Sequence, residues 1–364
     1  MARFFIIFSL FCLSIASSMA QVALIGIEEQ LEFVSFNQEA TQIIGYGSDV
    51  FVQGQAWGQK LIVWDARSGA TLMKVDVGEL VKKSEFGLNK QLNFTSGFSS
   101  CVINPAKSIL CFIATNVVNE KNGERYATLM AFYELQSQQV RVVTESKIQV
   151  TSIQFHPNNP DLLGLTAVDE STTEAFACLY NVQLKAIDKK LMSDKSGLNP
   201  LKTFFGTSGA VIIPYSKSSS TGGISIYSQQ GVLVKSVAIN DHAVNVFEKE
   251  GQYIVEGNSA TYFIHASTYT ITKTLDKILI HDLNAAKTFA SLVTRESLLN
   301  QTKNQNGLFV YDLLSAKKIQ LGSGNAYLSS IAPTERIVVF IVEKGYYDTP
   351  ESKKAKPSAL IYAF

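Results

Sequence analysis

The sequence is poor in cysteine, histidine and charge. Of its 364 residues, four are Cys and four are His, and 17% carry charge, where about a quarter is usual. So few cysteines exclude a small disulfide-held scaffold, and an apolar core must hold the fold. Four scattered histidines offer no obvious metal site. A formal net charge of +1 supplies no global field to attract nucleic acid or an anionic membrane surface. Apolar runs long enough to cross a bilayer, about 20 residues, are missing throughout. Helical periodicity is nearly absent as well; only 77–88, VGELVKKSEFGL, has the pattern of a helical turn or two. No H-E-x-x-H, G-x-S-x-G, P-loop or dinucleotide-binding fingerprint occurs.

What is present begins at the N-terminus. MARFFIIFSLFCLSIASSMAQ has one basic residue, Arg3, then an apolar core from Phe4 to Ala16, then small residues. Ser18 and Ala20 fall at the −3 and −1 positions of a cleavage before Gln21, the layout of a secretory signal peptide over 1–20. An uncleaved membrane anchor is the alternative; a mitochondrial presequence would be richer in Arg. The remaining 21–364 holds 31 basic and 31 acidic residues. Sequons at Asn93 (NFT) and Asn300 (NQT) are compatible with a glycosylated, secreted chain. Cys101 and Cys111 flank a turn near Pro105-Ala106. Two outcomes stay open there: a strained disulfide across a hairpin, or two small buried apolar side chains. Cys178 has no evident partner.

The segment KLIVWDARSGATLMKV reads as a short strand ending in an aromatic and a polar residue, then a turn, then a second strand. It recurs. The aromatic position is Trp64 (followed by Asp65), Tyr133, Tyr180, Tyr227, Tyr311 (followed by Asp312) and Tyr362 in SALIYAF, with His265 in a weaker copy. The first two lie 69 residues apart and the others 38 to 51, against about 40–50 for a propeller blade. The helical segment and a hairpin with a polar tip at Asn122-Gly123 account for the long first interval. A hairpin precedes each copy, as in FVSFNQEATQIIGYG, SCVINPAKSILCFIA and SSIAPTERIVVFIVE. The sixth, around ILIHDLNAAKTFASLV, is the least regular. Each unit reads as four antiparallel strands, the last ending in the aromatic–polar pair. Such a sheet cannot bury both apolar faces alone, and stacking seven of them in a ring does so. The expected fold is all-β, one seven-bladed propeller over 21–364. SALIYAF is expected as the outer strand of the last blade and QVALIGIEE (21–29) as an inner strand of the first. Two ring closures stay open, with each blade continuous or with the N-terminal strand crossing to the last blade.

Trp64-Asp65, Tyr311-Asp312 and Tyr180-Asn181 resemble the Trp-Asp dipeptide of WD40-repeat proteins, and FHPNNPDLLGLTA (155–167) is similar to that family's hairpin. The resemblance covers most of the chain and implies a propeller that binds protein partners. With one true Trp-Asp and no Gly-His dipeptide, the family's Asp–His–Ser/Thr–Trp network is not carried onto this chain.

Little here points to catalysis. His156 precedes Pro157 in a hairpin tip and reads as structural or solvent-exposed. Asp241-His242 and His281-Asp282 are the adjacent acid–His pairs, but neighbours on a strand point to opposite faces. GSGNAY (322–327) and YSKSSSTGG (215–223) read as turns. KGYYDTPESKKAKPSA (344–359) reads as a lysine-rich loop, solvated or partner-binding. The expectation is a non-enzymatic protein-interaction scaffold, secreted or lumenal, either a monomer or a subunit of a complex. It needs no cofactor, no metal, no nucleic acid and no membrane span beyond the leader. The alternatives are a secreted propeller hydrolase of the metal-dependent lactonase or esterase kind, marked by carboxylates converging on the axis, and a glycan-binding module.

Overall fold

The structure, a computed structural model, describes residues 20–27, 29–49, 59–83, 94–120, 123–145, 147–206, 209–218, 221–294, 307–342 and 358–364. The leader before Ala20, both sequons and the lysine-rich loop up to residue 357 lie outside the described residues.

Seven small antiparallel sheets stand in a ring, a seven-bladed β-propeller. Blade 1 runs from its inner to its outer strand as Glu29–Phe36, Gln42–Asp49, Gln59–Asp65 and Thr71–Asp76. Blade 2 is Phe94–Ile103, Ile109–Glu120, Gly123–Glu134 and Val140–Glu145. Blade 3 is Ile148–Phe155, Leu162–Asp169, Ala175–Asn181 and Ala186–Ser193. In blade 4 the inner strand is broken into Asn199–Pro200 and Phe204–Phe205, both paired to Val211–Ser216, followed by Gly222–Tyr227 and Leu233–Ile239. Blade 5 is Asn245–Lys249, Gln252–Glu256, Ala260–His265 and Ile271–Asp276. Blade 6 is Leu279–Leu283, Phe289–Val293, Leu308–Asp312 and Lys317–Gly322. The helical segment forms a short helix, Val77–Lys83, which buries Val77 and Val81 beside blades 1 and 2.

Blade 7 closes the ring. Its strands are Ala326–Ile331, Ile337–Val342 and Ser358–Ala363, and its outer strand is Ala20–Gly26 from the other end of the chain. That strand pairs antiparallel with Ser358–Ala363, with Leu24 opposite Leu360 and Ala20 opposite Ala363. The closure is therefore the crossed one. SALIYAF is the third strand of its blade, not the outer one, and Gln21–Gly26 belongs to the last blade, not the first.

The repeated aromatic likewise ends the third strand of each blade, not the fourth. Its work is to fill the seam against the preceding blade. Trp64 packs with Ile341 and Ile361 of blade 7. Tyr133 packs with Tyr46 and Val63 of blade 1, and Tyr180 with Met130 and Phe132 of blade 2. Tyr227, Tyr311 and Tyr362 repeat the arrangement at the 3/4, 5/6 and 6/7 seams. In blade 5 the seam position belongs to Ile264, fully buried at the 4/5 seam, and His265 stands one place later than expected. The turn bonds show the offset: His265 N–H donates to the Thr270 carbonyl as Asp65 N–H does to that of Ala70. His265 thus occupies the polar position. Its Nδ1 accepts from Ser267 N–H at 3.2 Å, as Asp65 Oδ1 accepts from Ser68 N–H at 2.7 Å and Asp312 Oδ1 from Leu314 N–H at 2.8 Å. An imidazole nitrogen replaces a carboxylate oxygen because the turn needs only an acceptor. In blade 7 the position is Ala363.

A second repeated device ties the strands at the same end of the ring. In blades 1, 2 and 6 an Asn closes the first hairpin: Asn37, Asn104 and Asn284. Asn104 Oδ1 accepts from Ser108 and Ile109 N–H at 2.8 and 2.9 Å, and Asn284 Oδ1 from Thr288 and Phe289 N–H at 2.8 and 3.0 Å. Each Asn also donates to the hydroxyl four residues on, Thr41, Ser108 or Thr288. The sixth blade, least regular by its apolar pattern, carries this turn in full.

Cys101 is paired with Phe112 and Cys111 with Val102, an offset of one residue. Cys111 therefore faces blade 3 and Cys101 faces blade 1, and both are free thiols, as is Cys178. Burial pushes all three thiols up from their ordinary pKa, Cys178 to about 12.

Two outcomes test this account. A Cβ at Gly45 would fall 2.5 Å from the Trp64 ring, so Gly45→Ala is expected to cost about 1–3 kcal/mol, read as a lower denaturant midpoint with weakened near-UV tryptophan dichroism. A chain lacking residues 1–26 is expected to melt lower than the full chain, and a synthetic peptide of residues 20–27 to restore its Tm. An unchanged Tm would mean that the N-terminal strand is not part of the last blade.

Candidate functional site

The inner strands of all seven blades surround an axial channel of about 410 Å³. Its wall mixes apolar residues (Val34, Val102, Ile153, Leu328) and small polar ones (Ser35, Ser152, Ser329) with charged groups from separate blades. Lys107 of blade 2 donates to Ser35 Oγ of blade 1 at 2.9 Å, a strut between neighbours. Glu32 lines the same wall, and burial raises its carboxyl above the usual range.

The most concentrated chemistry lies where blades 5, 6 and 7 meet the channel. Glu256, at the end of the second strand of blade 5, is fully buried, and its Oε2 lies 3.4 Å from Nδ1 of His281 in blade 6. Asn245 Nδ2 donates to the His281 carbonyl at 3.1 Å. Asp282 turns the other way: its Oδ2 accepts from Ser330 Oγ at 2.8 Å and Ile331 N–H at 3.1 Å in blade 7. Strand alternation sends the sequence neighbours His281 and Asp282 to different blades. A buried carboxylate is costly unless paired, and the His281 ring faces this one from across the seam. Among the described residues no group of three or more His, Cys, Asp or Glu side chains is placed to hold a metal ion.

Asp241 and His242 do not form a pair through their side chains either. Asp241 is buried in the connection into blade 5, and Oδ2 accepts from Ser259 N–H at 2.9 Å and from Ser259 Oγ at 2.8 Å. Oδ1 accepts from Asn258 N–H at 3.1 Å and from His242 N–H at 2.8 Å. One carboxylate thus joins the entry of blade 5 to the turn between its middle strands, a structural role. His156 caps its own hairpin, with Nδ1 accepting from Asn158 N–H at 3.2 Å and the ring edge-on to Phe205, centroids 4.8 Å apart. Burial lowers its pKa, which favours the neutral form. GSGNAY runs as bends from blade 6 into blade 7, with Gly324 at φ +116°.

The rim of blade 3 holds a charge cluster, its lysines exposed and its carboxylate largely covered. Glu174 takes Lys190 Nζ at 3.0 Å, Lys195 Nζ at 2.9 Å and the Ser193 hydroxyl. These hydrogen bonds, that of Ser193 foremost, hold its pKa down to about 2. Asp169 beside it is held to about 2 chiefly by the Ser171 hydroxyl.

The outer strands and the turns that lead into them carry the exposed apolar residues. Val232, Leu233 and Val234 are consecutive at the start of the outer strand of blade 4 and are 61, 53 and 48% exposed. On the adjoining blade 3, Leu184 is 73% and Ile187 41% exposed. The two blades touch here, since Lys189 Nζ donates to the Gln230 carbonyl. The residues Glu256 and Val232–Val234 were not singled out from the sequence. A lone acid closing the apolar run QYIVE was the available signal for the first. For the second it was an apolar triplet guarded only by Lys235.

No protein-family model matches the chain, and no curated protein does.

The Glu174 cluster sets a pH dependence. A carboxyl held to about 2 when folded and near 4.5 when free adds stability that is whole above about 4.5 and disappears as pH falls toward about 2. The difference in unfolding free energy between the wild type and Glu174→Gln is therefore expected to shrink over that interval in urea titrations. A difference independent of pH would sink the assignment.

Proposed function

We propose that this chain is a WD40-like, non-enzymatic scaffold that binds protein partners in the secretory pathway or outside the cell. The observation that carries the reading is the apolar run Val232-Leu233-Val234 at the outer strand of blade 4, with Leu184 and Ile187 also exposed on the adjoining blade 3. Outer strands leave backbone N–H and C=O groups unpaired on one side, and proteins commonly guard such edges with charge. This edge presents three consecutive apolar side chains instead. Exposed apolar patches of this kind mark interaction surfaces.

Two further features support the reading. Trp64-Asp65, Tyr180-Asn181 and Tyr311-Asp312, the dipeptides that carry the resemblance to WD40 repeats, each close a third strand. The N-terminal leader directs the chain to a compartment where partners are lumenal or secreted. Fold-level likeness alone would be a weak warrant; the exposed edge is a property of this chain.

Affinity purification of the C-terminally tagged protein from its native cell tests the proposal. The bait is expected to begin at Gln21 and to bring stoichiometric lumenal or secreted partners. The double variant Leu233→Ser, Val234→Ser is expected to lose them at unchanged Tm, because both side chains are already in solvent. A bait recovered alone overturns the scaffold reading, and an intact Met1 overturns the cleaved leader.

A further inference from the structure

A second surface lies at the foot of the seam between blades 2 and 3. The first hairpin of blade 3 is one residue longer than those of blades 1, 2, 6 and 7. His156 N–H reaches the carbonyl of Leu162, six residues on, where Asn37, Asn104, Asn284 and Ala332 each reach the fifth. The added length carries Pro157 and Pro160, whose rings fix φ and keep the longer turn rigid. Beside it the surface opens into a groove of about 600 Å³, within the range of about 300–1,000 Å³ typical of ligand sites.

The floor is aromatic. Phe132 of blade 2 and Phe155 of blade 3 meet edge-on with centroids 6.1 Å apart, and Ile109 extends the apolar surface. Over this floor stands Arg141. It is paired with Phe132 across the outer strand of blade 2, and its guanidinium carbon lies 4.9 Å from the Phe132 centroid. Among the described residues Arg141 makes no ion pair or hydrogen bond, and it is the one Lys or Arg lining the groove. The two carboxylates of the wall are held within their own blades: Glu134 accepts from Ser137 Oγ, and Asp161 from Gln183 Nε2 at 2.9 Å. The amide groups of Gln139 and Asn158, also in the wall, bond to nothing among the described residues.

A guanidinium stacked on an aromatic ring is a fork held ready for a carboxylate, which it can bind through two parallel bonds. Two unengaged side-chain amides, each both donor and acceptor, match the alternating N–H and C=O of an extended backbone. A purely hydrocarbon acid would leave them unused. We infer that this groove binds an extended peptide segment of a partner protein in which an acidic residue adjoins an apolar one. The acid meets Arg141, the apolar side chain covers Phe132 and Phe155, and the backbone crosses between Gln139 and Asn158. The inference rests on the scaffold reading and adds a second surface to the one on blades 3 and 4. Because proline and aromatic walls are already rigid, little order is lost on binding.

The test uses the purified full chain and a displayed library of random short peptides. Enriched peptides are expected to share Asp or Glu next to Leu, Ile, Val or Phe. A labelled consensus peptide, titrated by fluorescence anisotropy, is expected to bind at least about tenfold more weakly to Arg141→Gln, the scale of one lost charge-assisted contact. Arg141→Lys is expected to fall between. Replacing the acid of the peptide by its amide should weaken binding to the unaltered protein by a similar factor, a readout that no folding defect can mimic. No enrichment, a consensus without an acid, or equal binding by Arg141→Gln would overturn the inference. If Arg141→Gln fails to alter peptide binding yet cellular partners still depend on Leu233 and Val234, the groove fails and the scaffold stands. If the wild-type bait is recovered alone, the scaffold reading fails first.

Discussion

The fold depends on one contact made seven times: the last buried side chain of each third strand wedged against the preceding blade. A single four-stranded blade has two apolar faces and no partner of its own. The wedge joins them, so that Trp64 belongs to the core of blade 7 as much as to that of blade 1. Magnitudes favour this contact over the charges. Truncating a buried aromatic costs about 3–5 kcal/mol, whereas a partly exposed pair such as Lys60–Asp76 at 3.1 Å contributes about 0–1. A ring of such wedges has no weakest layer, only a weakest seam. Gly45 shows how tightly one seam is fitted, because the indole of Trp64 occupies the space where any side chain would begin.

The number of blades was legible because the wedge must be large and must recur. Which strand carried it was not. An aromatic followed by a polar residue and a turn marks the end of a strand, but a turn to the outer strand and a turn to the next blade look alike in sequence. The offset at His265 has a similar origin: Ile264 fills the seam as well as an aromatic would, so the ring that ends the strand is the imidazole one place later. Hydrogen bonds then gave the register that composition could not. Asn37, Asn104 and Asn284, each four residues before a Ser or Thr, formed a second repeat in plain view. It was missed because polar turn residues look interchangeable until their acceptors are known. Of the six turns between third and outer strands, four place a residue other than glycine at positive φ (Gln138, Lys185, Tyr269, Ala316). Glycine counting could not have found them.

The surfaces were harder to read, for a physical reason. A propeller gathers its functional groups from blades far apart in sequence, so local spacing carries little of the geometry. Glu256 meets His281 across 25 residues, and the groove beside Arg141 needs two hairpins and an outer strand. The adjacent acid–His pairs drew notice because they were adjacent, and alternation along the strand is what separates them. The chain that builds the interior by repetition builds its surface by departures from it. One hairpin is longer by a residue, one outer strand opens on an apolar triplet, and a buried carboxylate lines the channel.

The last blade has a consequence in time. Its outer strand is the first of the ring to be synthesised and its neighbour the last, so Ala20–Gly26 has no strand to pair with until Ser358–Ala363 has been made. Six blades can assemble as they emerge, but the seventh waits for Ser358–Ala363. Contacts so far apart in sequence form slowly. Until they do, the ring is an open arc with one bare apolar face at each end, and any agent that shields a newly made chain has those two faces to cover.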